Sequence, residues 1–489
     1  MRSNASRGCV LVAAAGLLLG CSGPSVRPKD PGAGGGGGTG GVSVERDAAG
    51  GGPKDTGGFQ LPEAGPPAPS PDAPAACTNL QCQQRMCPGG ASTTVSGTVY
   101  APNGTLPLYN VAVYVPNAPL EPLSPGMSCD RCGTLASGRP IASALSDHQG
   151  KFRVTNVPVG KDIPLVIQVG KWRRKLVIPE VKACQDNPLT DPQMTRLPRN
   201  RTEGDLPRVA LTSGRCDQLT CMIPKLGLDP AEVGVSGQDR AFTFFSGADG
   251  DTTGGPPGMM PATALWNSFD ELSKYSMVLF SCPCTEARAA RGPAALDAVT
   301  RYANAGGRVF GSHFEYVWLR YTPDPRLAGA FTISAGDLGA PPVVLDTSFP
   351  KGKALADWMK FLDPALQYGH IPTMAILDDI SSARPPAQVW ARSPGFGTAS
   401  GMSPRFVTIN TPAASPAAEQ CGRIALLDVH VTADSGVPGA PNRNPPPFPM
   451  ACGNGLTKSE HALAFLLFDL AACIQHDTTP PMPPPVVVD

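Results

Sequence analysis

The residues of this chain best equipped for chemistry fall just past apolar runs. Gly311-Ser312-His313-Phe314-Glu315 follows the run at 308–310, and Asp428-Val429-His430 follows the run at 423–427. Asp249 and Asp251 lie in a Gly-rich loop after 241–245, and Ser281-Cys282-Pro283-Cys284 comes after 275–280. Imidazole titrates near neutrality, so His313 and His430 can act as acid and base or as metal ligands. Asp428 precedes His430 by two residues and, on one strand face, would orient it. Asp249 and Asp251 offer hard oxygen to a divalent cation, although nothing in the sequence requires a metal or any other cofactor. Each group also has a plainer use, the histidines in bonding turn backbone and the aspartates in solvating a loop. Cys282 is a weak candidate nucleophile, because no base is adjacent in sequence and a disulfide would consume its thiol.

The elements that must position these groups alternate in type. Strand patterns at 208–212, 241–245, 275–280 and 308–310 are followed by others at 388–391, 406–409 and 423–427. Pro293 opens a helix with Leu296, Val299 and Ala303 on one face, and Gly306-Gly307 closes it. Thr457-Lys458-Ser459-Glu460 is a capping box that starts a last helix carrying Leu463, Leu466, Leu467 and Leu470. Strands separated by helices predict an α/β three-layer domain with a mainly parallel sheet over residues 206–476. Ligands of such sheets gather at the carboxyl ends of the strands. The stretch 302–313, a helix end, Gly306-Gly307, a strand and a Gly311 turn, resembles the class I glutamine amidotransferase-like fold. The resemblance places His313 where that fold presents a nucleophilic Cys, and Glu315 where a second Gly is usual. An amidotransferase reaction is therefore not implied. A His at this turn, with Gly422-Arg423 leading to His430, is similar to the trehalose-utilisation branch of the fold. His313, His430 and Asp428 form the candidate catalytic set; Ser312, Glu315, Asp249 and Asp251 form the candidate ligand-binding set.

Residues 77–182 read differently. Val95, Gly97 and Val99 alternate with polar residues, as do Val111, Val113 and Val115, and short runs follow at 152–154, 165–169 and 176–178. Period-two runs between turn residues predict a small β-sandwich, so the chain is expected to be multidomain. Asp147-His148-Gln149-Gly150, then Phe152, then Pro158-Val159-Gly160, resembles the carboxypeptidase regulatory-like (transthyretin-like) domain, with an insert at 116–140 that holds Cys129 and Cys132. The resemblance implies a non-catalytic module that binds carbohydrate or supports a neighbour. Trp172-Arg173-Arg174-Lys175 is expected at a hairpin tip, where an exposed Trp172 beside three cations would stack on a sugar or meet an anionic surface. A partly packed Trp with solvated charges is the plainer reading.

Composition bounds the rest. Forty Lys+Arg balance forty Asp+Glu, which argues against a nucleic-acid partner. Arg2 and Arg7 precede an apolar run at 10–19 that ends Leu18-Leu19-Gly20-Cys21. This resembles the bacterial lipobox, so residues 1–20 are expected to be a lipoprotein signal peptide and Cys21 the lipidation site. Ser22 after it points to the outer membrane. Residues 21–76, Gly- and Pro-rich with five glycines at 34–38, have too little apolar surface to offset ordering and are expected to be a disordered tether. Residues 477–489 are a Pro-rich tail, also expected to be unstructured. Of 15 Cys, those other than Cys9 and Cys21 are expected mostly in disulfides with an odd one over, and Cys282 and Cys284 are too close to bridge each other. The chain is read as a lipid-anchored cell-envelope binding protein, whose partners are the membrane and a carbohydrate or an envelope protein. The alternative is an anchored hydrolase or carbohydrate-acting enzyme using His313, His430 and Asp428. A redox or metal-handling role for the cysteine pairs would need unpaired thiols.

Overall fold

The computed structural model describes residues 77–487, apart from 249, 253, 335–337, 374, 396–400, 433–447 and 454. Residues 1–76, with the expected signal peptide, Cys21 and the tether, lie outside the described residues, as does Asp249.

The alternating runs of the first region become two facing sheets. Thr94–Thr98 pairs antiparallel with Lys151–Thr155 and parallel with Asp186–Leu189. The second sheet runs Pro140–Leu145, Ala112–Pro116, Gly160–Val169, Trp172–Val181, all antiparallel. Lys151–Thr155 shows the half-buried pattern most simply: Phe152 and Val154 face inward and their neighbours face water.

The second region is an eleven-stranded sheet. Met260–Pro261, Phe242–Ser246, Val209–Thr212, Met277–Phe280, Arg308–Ser312 and Gly422–Leu427 lie side by side and parallel. Met402–Thr411, Gln388–Pro394, Val343–Leu345 and His370–Ile371 continue it antiparallel. The sheet is therefore mixed, and the expectation of a mainly parallel one holds only for its first half. For the two hairpins that flank Met402–Thr411 the reason is connection length. A parallel return needs about a dozen residues or more of crossover, and the short links from 395 to 401 and from 412 to 421 permit only hairpins.

Successive residues of the central strands point to opposite cores. Phe242, Phe244, Leu279 and Phe310 join the helix Lys458–Ala471 and the sandwich. Phe245, Val278, Phe280 and Val309 join the helix Pro293–Asn304 on the other face. Lys458–Ala471 begins with the expected capping box, Thr457 and Glu460 each bonding the other's backbone.

The sandwich docks on the first of these faces, which corrects the expectation for Trp172. The hairpin turn before it comes so close to the end of Lys458–Ala471 that a Cβ on Gly170 would sit 1.9 Å from the Ala471 carbonyl oxygen. Trp172 is buried against Phe242 and Phe468. It is an interdomain packing residue, with no face left for a sugar. Cys129 and Cys132, in the insert, bridge to Cys421 and Cys473 of the α/β region. The tail also departs from expectation. Asp477 is buried with Arg423 and Lys351, and further on Ser143 donates to the Pro484 carbonyl at 2.6 Å.

Candidate functional site

Arg308–Ser312 is a central strand, flanked by Met277–Phe280 and Gly422–Leu427 in parallel register. Parallel register brings the loops after all three to one end of the sheet, so Cys282, His313 and Asp428 meet there. His313 follows the strand at φ +45°, a left-handed conformation that non-glycine residues rarely adopt. The chain turns at once into the short helical segment His313–Tyr316. A Cβ on Gly311 would lie 2.6 Å from the Glu315 Cβ, so glycine lets the turn fold back over its own strand. Glu315 is not a ligand group, as expected from sequence, but a clamp on this elbow. It pairs with buried Arg291 and accepts from the Trp318 indole at 2.6 Å.

The two expected histidines do meet. His313 Nδ1 lies 3.0 Å from His430 Nε2. On the far side, His313 Nε2 is 3.1 Å from Oδ2 of Asp379. A proton on Nε2 would face this carboxylate and leave the Nδ1 lone pair directed at His430. Burial, with His313 beside it, pushes the His430 imidazole down to about 3, so the ring is neutral at ordinary pH.

Asp428 does not orient His430. The strand Gly422–Leu427 ends before it, and Val429–His430 pairs instead with Ala375–Ile376, so the alternation that would align residues 428 and 430 is broken. Asp428 Oδ2 accepts from the backbone N–H of Asp379 at 2.8 Å and of Ile380 at 3.1 Å. It thus holds Asp379, which holds His313. Burial and the neighbouring Asp379 charge keep the Asp428 carboxyl well above the usual carboxylate range. Asp217 secures the other histidine, accepting from the backbone N–H of Val431 at 3.2 Å and of Thr432 at 2.9 Å. Burial pushes Asp217 up to about 6.

The remaining candidates do not join this group. Ser312 is wholly buried with its side chain against the Asp217 carboxyl, so it backs the site and faces no ligand. Asp251 is buried with its carboxylate 3.5 Å from Arg215 Nε, so a cation already faces it. The cysteines form six disulfides and leave Cys282 as the one free thiol among the described residues. A redox role that needs unpaired thiols finds none but this one. Cys284 bridges to Cys216. The Cys282 thiol is fully buried and pushed up by that burial, so it is no nucleophile toward solvent, yet its Sγ lies 3.4 Å from His313 Nδ1.

Of Asp379, His313 and His430, all buried, it is His430 that borders a cleft. It lines a cleft of about 710 Å³ whose other walls include Pro341, Val343, Ile371, Ile376 and His370. His313 and Asp379 stand behind it. Sequence reasoning missed Asp217 and Asp379. The adjacent acids Asp378-Asp379 interrupt the apolar stretch 375–380, and that interruption was the available signal.

No family model matches the chain. No curated protein matches it either. Among solved structures it is similar to a ThuA-like protein from Bacteroides uniformis, at 12% identity and TM-score 0.27, over 46% of this chain and 82% of that one. It is also similar to a chain of a type II cohesin–X-dockerin complex from Acetivibrio cellulolyticus, at 15% identity and TM-score 0.16, over 26% of this chain and 78% of that one. Likenesses this distant bear no functional argument, and the chemistry rests on the geometry above.

Proposed function

We propose that the protein is a cell-envelope binding protein, anchored through Cys21, whose cleft takes a small amphipathic molecule. The observation that carries this reading is His430 on the wall of a cleft lined mostly by aliphatic and proline side chains, with His370, Gln367 and Thr373 as its other polar side chains. Its volume falls in the usual range for small-ligand sites, about 300–1,000 Å³. The apolar part of the ligand packs on Val343, Ile371 and Ile376, and a hydroxyl or amine meets the neutral imidazole. With Trp172 buried, an amphipathic ligand suits the surface better than a sugar. The apolar run and lipobox of residues 10–21 support the anchor, and outer-membrane delivery follows from Ser22. Among the described residues no helix is long and apolar enough to cross a membrane.

Titration with the fluorophore anilinonaphthalene sulfonate tests the cleft. The folded protein is expected to bind it saturably, and Ala375→Trp, which fills the cleft, to weaken binding roughly tenfold or more. No saturable binding, or binding indifferent to Ala375→Trp, would contradict the reading.

A second reading, an anchored hydrolase, is favoured by the line Asp379, His313, His430, which is arranged as a carboxylate-backed imidazole relay. It ranks second because a base held near 3 is poorly matched to neutral pH.

A further inference from the structure

We propose that Cys282, His313 and His430 form a binding site for a thiophilic divalent transition ion of the zinc class. The cluster is the one place among the described residues where soft ligand atoms converge. Sγ of Cys282 is 3.4 Å from His313 Nδ1, and that Nδ1 is 3.0 Å from His430 Nε2. A ring nitrogen of His430 and Cys282 Sγ lie within 4.8 Å of each other. Cys216 sulfur falls within the same radius, but it is bridged to Cys284 and offers no thiolate.

Hydrogen bonding alone serves this cluster badly. With its proton on Nε2 facing Asp379, His313 has a single in-plane lone pair, on Nδ1. In that tautomer the Cys282 thiol and the His430 ring compete to donate to it. A cation at the centre removes the conflict, since the thiolate and both imidazoles then give one lone pair each. Two of the three separations lie near what such an ion needs, and the third, between Cys282 and His430, is within 4.8 Å. Bonds of about 2.3 Å to sulfur and about 2.0 Å to nitrogen in a tetrahedron hold the ligand atoms about 3.3–3.5 Å apart. Asp379 at 3.1 Å from Nε2 is the carboxylate partner that ligating histidines commonly have, fixing the tautomer that frees Nδ1. One thiolate and two imidazoles select zinc, cobalt or copper over magnesium and calcium. Binding expels the Cys282 proton to solvent, and His430 on the cleft wall leaves a fourth position for water or a ligand group. The inference rests on the same imidazole pair as the cleft reading but not on what the cleft binds.

The test is cobalt titration of the full chain carrying Cys9→Ser and Cys21→Ser, followed in the ultraviolet and visible. One equivalent is expected to produce a thiolate-to-cobalt charge-transfer band with tetrahedral d–d absorption, erased by zinc and untouched by magnesium. Cys282→Ser should abolish the band. Should that variant fail to fold by circular dichroism, His430→Ala, at the cleft wall, carries the test with an affinity loss of roughly tenfold or more, and Asp379→Asn with a loss of about 10–100-fold. No saturable band in the parent, a band that survives Cys282→Ser, or affinity unchanged in a folded His430→Ala would overturn the site. No saturable fluorophore binding by the parent, with the cobalt band intact, would instead overturn the cleft reading alone.

Discussion

His313 sits in the left-handed region just past a central strand, a placement that costs a non-glycine residue of order 1–3 kcal/mol and persists only where neighbours over-determine it. Here Glu315 does so, locked between Arg291 and Trp318 with all three buried. Removing the acid leaves a guanidinium uncompensated in the interior. Glu315→Ala is therefore expected to destabilise the fold by about 3–5 kcal/mol, read by chemical denaturation with disulfides intact; a loss under about 1 kcal/mol would show that the clamp is dispensable. His313 and His430 were legible in sequence because each follows an apolar run, and strand ends are where sheets present groups. Their carboxylates were not. The chosen partner, Asp428, was inferred from strand alternation, and alternation fails where the chain leaves one strand for another. Asp379 and Asp217 come from distant segments, and only the pairing of Ala375–Ile376 with Val429–His430, and of the residue 217 loop with 431–432, brings them in.

At the scale of elements, the strands and the two long helices were readable from period and caps, whereas strand direction depended on the links. Counting residues between 394 and 402 would have shown that no crossover helix fits. The hairpin tip is the other lesson. Arg173, Arg174 and Lys175 made Trp172 look solvated, but Gly170 at φ +53° lets the turn press against the Ala471 carbonyl, and the indole goes in with it. Arg173 is satisfied by Asp205 at 2.8 Å rather than by water. Gly170→Ala adds a Cβ where neither the conformation nor the space accepts one. It is expected to cost more than about 1 kcal/mol and to expose Trp172, raising its quenching by acrylamide. Unchanged stability and quenching would mean that the hairpin does not hold the two regions together.

Across the whole molecule, two bridges span long stretches of chain, with sequence separations of 292 for Cys129–Cys421 and 341 for Cys132–Cys473. Each ties the sandwich insert to the α/β region, and such links typically contribute about 2–4 kcal/mol. The tail adds an ionic strap. Burial alone would raise Asp477, but Arg423 and Lys351 prevail and hold its carboxyl down to about 2. Since the unfolded value is about 3.9, the stabilisation is complete above that pH and is lost as pH falls toward 2. Acid unfolding of Asp477→Asn should lack this component, so the gap in stability between it and the parent should close between about pH 4 and 2. A gap constant down to pH 2 would contradict the strap. Composition made the tail look unstructured because proline suppresses regular structure, yet an extended proline-rich segment can still lie along an edge strand, as this one does beside Pro140–Leu145.

The meeting of His313 and His430, with Asp379 behind, is the central feature of the site. Imidazole nitrogen-15 spectra of the metal-free protein at neutral pH test it most directly. Of the six histidines, His430 is expected as a neutral ring in a fixed tautomer, and Asp379→Asn should shift the His313 and His430 signals while leaving the rest in place. Six rings showing averaged, solvent-like tautomers, none moved by Asp379→Asn, would contradict it.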